Sequence, residues 1–356
     1  MADKQARLRG PVRIVGAGLL GASLGLALRA RNIDVILADA SPSTLALAID
    51  YGAGRPAGPE DAPELIVVCV PPDVTAVTVA AELATYRQAL VTDVASVKLA
   101  PLAELRAMGA DLTRYIGSHP MAGRERGGAA AARADLFDGR PWVIAGHDMI
   151  SYRRAAPLEN LVLDLGAIPI EMDAAEHDAS VALVSHVPQV VASLLAARLV
   201  GASDSAVALA GQGLRDTTRI ASSAPELWVQ ILAANSASVV AILEQYRADL
   251  DGLIDALANP TAIGARRTIA QAIAGGNVGV ARIPGKHGQA GHFSQLVIKV
   301  NDTPGELARL LTEIGVAGVN MEDLRLEHSP GAQFGLAEIS VLPEAESVLA
   351  NELAAG

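Results

Sequence analysis

Residues 12–21, VRIVGAGLLG, place a β-branched run directly before three glycines that have the spacing GxGxxG. Gly16 allows a tight turn, Gly18 lets the backbone approach a pyrophosphate closely, and Gly21 permits close packing of a helix on a strand. The apolar spacing that follows is helical, so the N-terminus of a helix would face the phosphate. The stretch therefore predicts a strand, a glycine turn and a helix at the start of a nucleotide-binding α/β domain.

An acidic residue supports this prediction. Asp39 follows the second predicted strand, Asp34–Ala38, about 20 residues beyond the glycine motif, where its carboxylate can accept hydrogen bonds from ribose hydroxyls. A carboxylate here repels a 2′-phosphate, and no arginine follows it closely, which favours NAD over NADP. The alternative is a glycine turn with a helix-capping aspartate and no cofactor.

Strand and helix signals alternate over the first 170 residues. Leu65–Val70 is a continuous apolar run that two prolines stop, as expected of a parallel strand covered on both faces. Further strands are predicted at Ala89–Asp93, Tyr115–Gly117 and Pro141–Ala145. The alternation predicts an α/β Rossmann fold with a doubly wound parallel sheet.

The pattern changes around residue 170. From Ala174 to about Ala274 the strand signals stop and alanine-rich helical periodicity predicts an all-helical domain. The glycine-rich stretch Gly275–Gly291 predicts a linker, and the tail from His292 has the order β-α-β-β-α. We therefore predict three domains: Rossmann over 1–170, helical over 171–280 and small α+β over 292–356, with a linker at 275–291.

The composition excludes several classes of function. The 356 residues are 51% hydrophobic, and 28 basic against 39 acidic residues give a net charge of −11. Such a chain folds, and it repels nucleic acids and anionic membranes in bulk. Its one cysteine, Cys69, excludes an internal disulfide and a cysteine-based zinc site. With no signal segment and no membrane span predicted, we expect a cytoplasmic protein.

Five polar segments lie near the predicted ends of strands and helices, where ligands of open α/β sheets bind. They are DVASVK (93–98), SHPMAGRE (118–125), EHD (176–178), SHVP (185–188), and GLRDTTRI (213–220) with Trp228.

The chain resembles the prephenate and arogenate dehydrogenases of tyrosine biosynthesis over nearly its whole length. The similarity rests on GAGLLGASL, VPP, DVASVK, GSHPMAGRE, EHDASVALVSHVPQ and GLRDTTRIASSAPELW, in the family order. It implies an NAD-binding Rossmann domain followed by a helical domain that forms a homodimer. The reaction implied is the oxidative decarboxylation of a cyclohexadienol, either prephenate or arogenate, and the sequence leaves these two open.

The resemblance also implies roles for single residues. His119 corresponds to the catalytic histidine that hydrogen-bonds the ring hydroxyl of the substrate, and Ser96 to a serine that orients both. Arg219 corresponds to the arginine that binds a substrate carboxylate, His186 lies in the substrate pocket, and Glu125 is a pocket acid linked to specificity and feedback. Cofactor contacts are expected from Gly16, Gly18, Leu19, Gly21, Asp39 and Pro71.

The chemistry explains these residue types. Prephenate carries two carboxylates, so a protein of net charge −11 needs the planar, bidentate guanidinium of Arg219. Neutral histidine, with an ordinary pKa of about 6.5, can accept the hydroxyl proton at His119. A nicotinamide takes the hydride and loss of carbon dioxide aromatises the ring, so no metal is expected.

Each residue also has an ordinary structural explanation. His119 can cap a loop, Ser96 can cap a helix, and His186 can be a satisfied core histidine beside a proline kink. Arg219 can pair with an acid one turn away on its helix. We interpret His177 as part of a structural helix start, because no partner at i+4 completes a metal site.

The tail resembles a ferredoxin-like regulatory ACT domain, which binds amino acids, and NDTPGELARL is its most recognisable piece. Its fourth strand is missing, so His292–Val300 is expected at a sheet edge that a partner subunit or the linker covers. An L-tyrosine effector follows from the resemblance alone. Two more distant functions stay open: a 3-hydroxyacid dehydrogenase, and a non-catalytic sensor of NAD or amino acids.

Overall fold

The computed structural model describes residues 6–123, 127–283, 293–328 and 333–355. Its contacts divide the chain into two compact units, Met1–Val191 with Ser222–Leu243, and Ala192–Ala221 with Glu244–Gly356. The first unit extends beyond the boundary predicted at residue 170, because the helices that follow this boundary pack against helices of the sheet domain.

The first unit is built on a large sheet. Its described strands are β1 (Val12–Val15), β2 (Val35–Ala38), β3 (Arg55–Pro56), β4 (Leu65–Val68), β5 (Leu90–Asp93), β6 (Tyr115–Pro120), β7 (Pro141–Gly146) and β8 (Ile168–Asp173). They lie in the order β3-β2-β1-β4-β5-β6-β7-β8. The helices of this part are α1 (Leu19–Arg29), α2 (Pro42–Asp50), α3 (Pro72–Thr85), α4 (Leu99–Ala107) and α5 (Tyr152–Asp164). The strand order 3-2-1-4-5-6 confirms the predicted Rossmann arrangement.

The predicted parallel sheet contains one antiparallel pair of strands near one edge. Strands β1 to β6 pair in parallel, but β7 runs antiparallel to β6, and β8 then runs parallel to β7. A parallel connection needs a crossover, usually a helix. The described residues between β6 and β7 form only a 3₁₀ turn at Ala129–Ala131, so the chain returns in the opposite direction.

The helical region predicted from Ala174 follows β8. It contains α6 (Ala174–Val181), a π-helical segment (Ala182–His186), α7 (Val187–Ala197), α8 (Asp204–Val207), α9 (Gln212–Thr218), α10 (Pro225–Ala234), α11 (Ser236–Ala258) and α12 (Ala265–Val280). By length and composition Ala174–Ala197 would pass for a membrane span. It carries buried His177, Asp178 and His186, however, as expected of the core helix that the sequence predicts.

Helix α12 corrects the predicted linker. Residues 275–280, assigned to the linker, form its last turns, and residues 284–291 lie outside the described part of the chain. Glycine lowers helix stability by about 1 kcal/mol per residue but leaves the hydrogen-bond ladder intact. The glycines here therefore do not end the helix.

The tail has the predicted order of elements. It consists of β9 (Ser294–Asn301), α13 (Glu306–Val316), β10 (Met321–His328), β11 (Phe334–Val341) and α14 (Pro343–Ala355). Strand β11 pairs antiparallel with both neighbours in the order β10-β11-β9, so β9 lies at a sheet edge as expected. The buried side chains of its core are Leu310, Ile314, Ala337, Ile339, Val341 and Leu349.

Candidate active site

The glycine turn has the geometry that a dinucleotide requires. Gly16 has φ +100°, and a Cβ here would overlap the carbonyl oxygen of Cys69. A Cβ at Gly21 would overlap the carbonyl oxygen of Gly16, whereas Gly18 faces open space. Only glycine fits the first and third positions, and the second leaves the backbone free to approach a ligand.

Asp39 lies beside this turn. Its Oδ2 accepts a hydrogen bond from Ala17 N at 2.7 Å, and its Oδ1 accepts one from Ser41 N at 2.8 Å. Because each carboxylate oxygen has a second lone pair, the side chain is held in place and can still accept hydrogen bonds from ribose hydroxyls. Leu19 begins α1, and Pro71 precedes the first residue of α3, so both lie at helix N-termini.

His119 is the fifth residue of β6 and one end of a buried chain of three side chains. Its Nδ1 lies 2.9 Å from His177 Nε2, and His177 Nδ1 lies 2.7 Å from Asp178 Oδ1. All three side chains are buried. The carboxylate can only accept, so His177 donates from Nδ1 and accepts at Nε2 from His119 Nδ1. His119 Nε2 therefore carries a lone pair, and it has no hydrogen-bond partner among the described residues.

Asp178 is itself fixed by the backbone of α4. Its Oδ1 also accepts from Lys98 N at 2.8 Å, and its Oδ2 accepts from Leu99 N at 3.0 Å. Asn235 Nδ2 donates to the carbonyl oxygen of Asp178 at 2.7 Å. A carboxylate at a helix N-terminus is stabilised by the unpaired N–H groups there. The chain from Asp178 to His119 is thus anchored at its acidic end.

A second buried network lies behind His119. Lys98 Nζ forms an ion pair with Asp93 and donates to the carbonyl oxygen of Ser118 at 2.7 Å. Tyr115 donates from its hydroxyl to Asp93 Oδ2 at 2.7 Å. Since Ser118 directly precedes His119, this network fixes the end of β6 that carries the histidine. Burial lowers the pKa of Lys98, although Asp93 opposes this shift.

Burial governs the protonation of His119. Loss of hydration lowers the pKa of His119 well below its ordinary value, and the nearby His177, Lys98 and His186 lower it further. The imidazole is therefore neutral at physiological pH. A neutral imidazole with a free Nε2 lone pair is a group that accepts a proton from a substrate hydroxyl.

His186 closes the π-helical segment Ala182–His186. Val187 N donates to Ala182 O, five residues back, and the following Pro188 has no N–H to continue the usual ladder. The predicted proline kink is thus a π segment. His186 is buried, its Nδ1 lies 3.1 Å from Asn235 Nδ2, and Trp228 stacks edge-on at 6.0 Å. Burial lowers the pKa of His186 to about 4.

Three other predicted residues, Ser96, Arg219 and Glu125, are not members of this chain of hydrogen bonds. Ser96 is half-buried and has no hydrogen bond within the described residues, so nothing here joins it to His119. Arg219 belongs to the second unit, where it is exposed in the 3₁₀ turn Arg219–Ala221. It forms no ion pair with any described residue, and Asp216 instead accepts from Gln212 at 2.7 Å. Glu125 lies outside the described residues.

The sequence interpretation of His177 is incomplete. It does lie in the first turns of a helix, but it also links the predicted catalytic histidine to a buried carboxylate. The adjacency of His177 and Asp178 in EHD was the available signal. Among the described residues, no group of three or more histidine, cysteine, aspartate or glutamate side chains is placed to hold a metal.

Comparisons with known proteins find two family domains in the chain. The nucleotide-binding domain of prephenate dehydrogenases matches residues 24–170, and their dimerisation domain matches residues 173–269. A probable prephenate dehydrogenase, NovF, of Streptomyces niveus is 36% identical over 96% of this chain and 96% of its own length. The solved arogenate dehydrogenase of Synechocystis is 30% identical, with a TM-score of 0.61, over 75% of this chain and 98% of that chain.

A second solved structure is similar in fold. The prephenate dehydrogenase of A. aeolicus, in complex with hydroxyphenyl propionate and NAD+, has a TM-score of 0.67 at 24% identity, covering 76% of this chain and 97% of that chain. Two family domains in sequence, and a relative that is similar over almost the whole length, settle the assignment. The chain belongs to the prephenate dehydrogenase family.

Proposed function

We propose that the chain catalyses the NAD-dependent oxidative decarboxylation of prephenate to 4-hydroxyphenylpyruvate, a step of tyrosine biosynthesis. One observation carries the proposal: buried, neutral His119 is held by His177 and Asp178 with a free Nε2 lone pair. This arrangement supplies the base that the oxidation of a ring hydroxyl needs. Its location in a domain with a glycine turn and Asp39 supports NAD as the oxidant.

The protein's part in this reaction is to orient the substrate and move one proton. His119 Nε2 takes the proton of the ring hydroxyl, and the resulting imidazolium is stabilised through His177 by the carboxylate of Asp178. When bound, NAD supplies the hydride acceptor. Loss of carbon dioxide then aromatises the ring, so the driving force of the second step comes from the substrate.

Substrate binding needs positive charge. We assign one carboxylate of prephenate to Arg219, because its guanidinium is exposed and unpaired among the described residues and offers bidentate donors. Ser96 and His186 are assigned as substrate contacts from their motifs, with Ser96 supported by its unused hydroxyl. Glu125 is assigned as a pocket acid from the sequence alone.

Arogenate is the second candidate substrate. It differs from prephenate by an amino group in place of a keto group on the side chain, which a few pocket contacts distinguish. The 30% identity to the Synechocystis arogenate dehydrogenase supports it. The larger and closer match to a probable prephenate dehydrogenase favours prephenate.

We further propose a cytoplasmic homodimer joined through the helical domain over 171–280. The support is the match of residues 173–269 to a dimerisation domain. Large apolar side chains are also exposed on these helices, among them Leu194, Val240, Ile254 and Ile273. A second copy that covers them removes this surface from water.

The tail over 292–356 is proposed to be an ACT-like, ferredoxin-like regulatory domain that binds L-tyrosine. Its element order and the strand order β10-β11-β9 support this assignment. Calorimetric titration of L-tyrosine into the full chain tests it, since a domain of this function gives a saturable heat and an unrelated one gives none.

The activity is tested by supplying purified protein with NAD and either prephenate or arogenate, and following nicotinamide absorbance. Turnover of prephenate with release of carbon dioxide supports the proposal, and faster turnover of arogenate supports the second candidate. A folded, NAD-binding sample that turns over neither substrate contradicts both, and leaves the hydroxyacid dehydrogenase and the sensor.

A further inference from the structure

The first unit contains a cavity of about 470 Å³ at the ends of the strands opposite those that carry the glycine turn. It is lined by Ile116 near the start of β6, by Gly146 at the end of β7, and by α5. Because β6 runs parallel to β1, the start of β6 lies away from the strand ends that carry the glycine turn. The cavity is therefore distinct from the site built around His119.

The lining of this cavity combines apolar walls with acidic groups. The walls are aliphatic, formed by Ile116, Ile144, Ile150, Ala155 and Met172. Three carboxylate residues, Glu159, Glu171 and Asp173, complete the lining, and no lysine or arginine is among the described residues that line it. A ligand with an apolar body and a positive charge matches both features, whereas an anion is repelled.

His147 also lines the cavity and is neutral there. Its Nε2 lies 2.9 Å from the carbonyl oxygen of Tyr115, to which it donates, and its Nδ1 accepts from Met149 N at 3.2 Å. Burial lowers the pKa of His147, so this ring adds no positive charge to the cavity at neutral pH.

Two paths of contacts join the cavity to the catalytic histidine. The first runs from His147 to Tyr115, whose hydroxyl binds Asp93, the ion-pair partner of Lys98 behind His119. The second begins at Asp173.

Asp173 caps α6: its Oδ1 accepts from Glu176 N at 2.8 Å, at the start of the helix that carries His177. A ligand that displaces His147 or Asp173 therefore acts on groups that position His119.

We propose that this cavity binds a small molecule that joins an apolar body to an ammonium group, and that its occupancy is transmitted to His119. The volume lies within the range of ordinary ligand sites, about 300–1,000 Å³. The second half of the proposal rests on the proposed function, but the first half does not.

Calorimetry on the full chain tests binding, with cyclohexylmethylammonium as the cationic probe and cyclohexylacetate as its anionic counterpart. We expect one ammonium ion per chain and no binding of the carboxylate. Glu171→Gln should weaken ammonium binding about fivefold, because an exposed rim carboxylate contributes a modest, screened attraction. Ala155→Leu, which fills the cavity from α5, should abolish it.

Glu104→Gln is the matched control, since it removes the same charge from an exposed position on α4 outside the cavity. The proposed site is contradicted if the two probes bind equally well or if neither binds. It is also contradicted if Glu171→Gln and Ala155→Leu both leave ammonium binding unchanged. Transmission is tested by kcat and its pH profile at a saturating ammonium concentration. If the probe binds but changes neither kcat nor its pH profile, the proposed transmission is contradicted while the binding site is not.

Discussion

Replacing Asp178 by asparagine tests whether the buried carboxylate acts on the catalytic histidine through His177. The change preserves size but removes the negative charge 2.7 Å from His177 Nδ1. It also puts an NH₂ group where one of three donors, Lys98 N, Leu99 N or His177 Nδ1, now finds an acceptor. An unmade hydrogen bond at this buried position costs about 1–3 kcal/mol of stability.

The effect on catalysis follows from distance. The rings of His119 and His177 are 5.1 Å apart, which places the carboxylate roughly 9 Å from the His119 ring. At an effective dielectric constant of about 20, a charge at this distance stabilises the imidazolium by about 1.8 kcal/mol. We therefore expect kcat to fall about 20-fold in Asp178→Asn.

The pH profile separates this role from a structural one. Wild-type kcat/KM should fall on acidification as His119 binds a proton, below its ordinary pKa of about 6.5 because burial lowers that pKa. Without the carboxylate the imidazolium is less stable, so the acid limb of the variant should move to lower pH. Glu176→Gln, a neighbouring exposed carboxylate on α6, is the control and should leave kcat and the limb unchanged. A reduced kcat with an unmoved acid limb would refute the charge argument.

Three further predictions concern other parts of the molecule. Gly21→Ala should weaken NAD binding more than about tenfold in a fluorescence titration, because its Cβ overlaps the Gly16 carbonyl, whereas Gly276→Ala, in open space, should not. Arg219→Lys should raise KM for prephenate about tenfold at unchanged NAD affinity, since lysine lacks the bidentate fork; an unchanged KM contradicts the assignment. The urea midpoint of unfolding should decrease as the pH is lowered from 6.5 to 4. Burial lowers the pKa of His186 to about 4, so the folded protein keeps this ring neutral in that range while the unfolded chain binds a proton. His186→Gln should flatten this slope, and an equally steep slope in the variant removes His186 as its cause.

Features set by neighbouring residues were predictable from the sequence. The turn around Gly16 and Gly21 and the aspartate after β2 depend on local spacing, and the structure places them as predicted. The alternation of strands and helices likewise predicted the doubly wound parallel sheet of the Rossmann part, and the strand order agrees with it. Strand β8 was missed, because it is a half-exposed edge strand with a proline and no continuous apolar run.

Features that depend on distant contacts were not predictable. His119 and His177 are 58 residues apart in sequence, and the packing of α6 against α4, β7 and β8 brings them to hydrogen-bond distance. The reversal at β7 follows from a connection without a crossover helix. Residues 275–280 of the predicted linker are helical because they continue α12, which begins at Ala265, and glycine content alone does not show where that helix ends.

Turnover of prephenate with NAD by His119→Asn tests the assigned base. Asparagine keeps a polar group near His177 but cannot take up the proton, and general base catalysis contributes about 10²- to 10⁴-fold to rate. We predict that kcat falls within this range while NAD affinity stays unchanged, since His119 is no part of the glycine turn. Full turnover in a folded His119→Asn sample would contradict the assignment of His119 as the base.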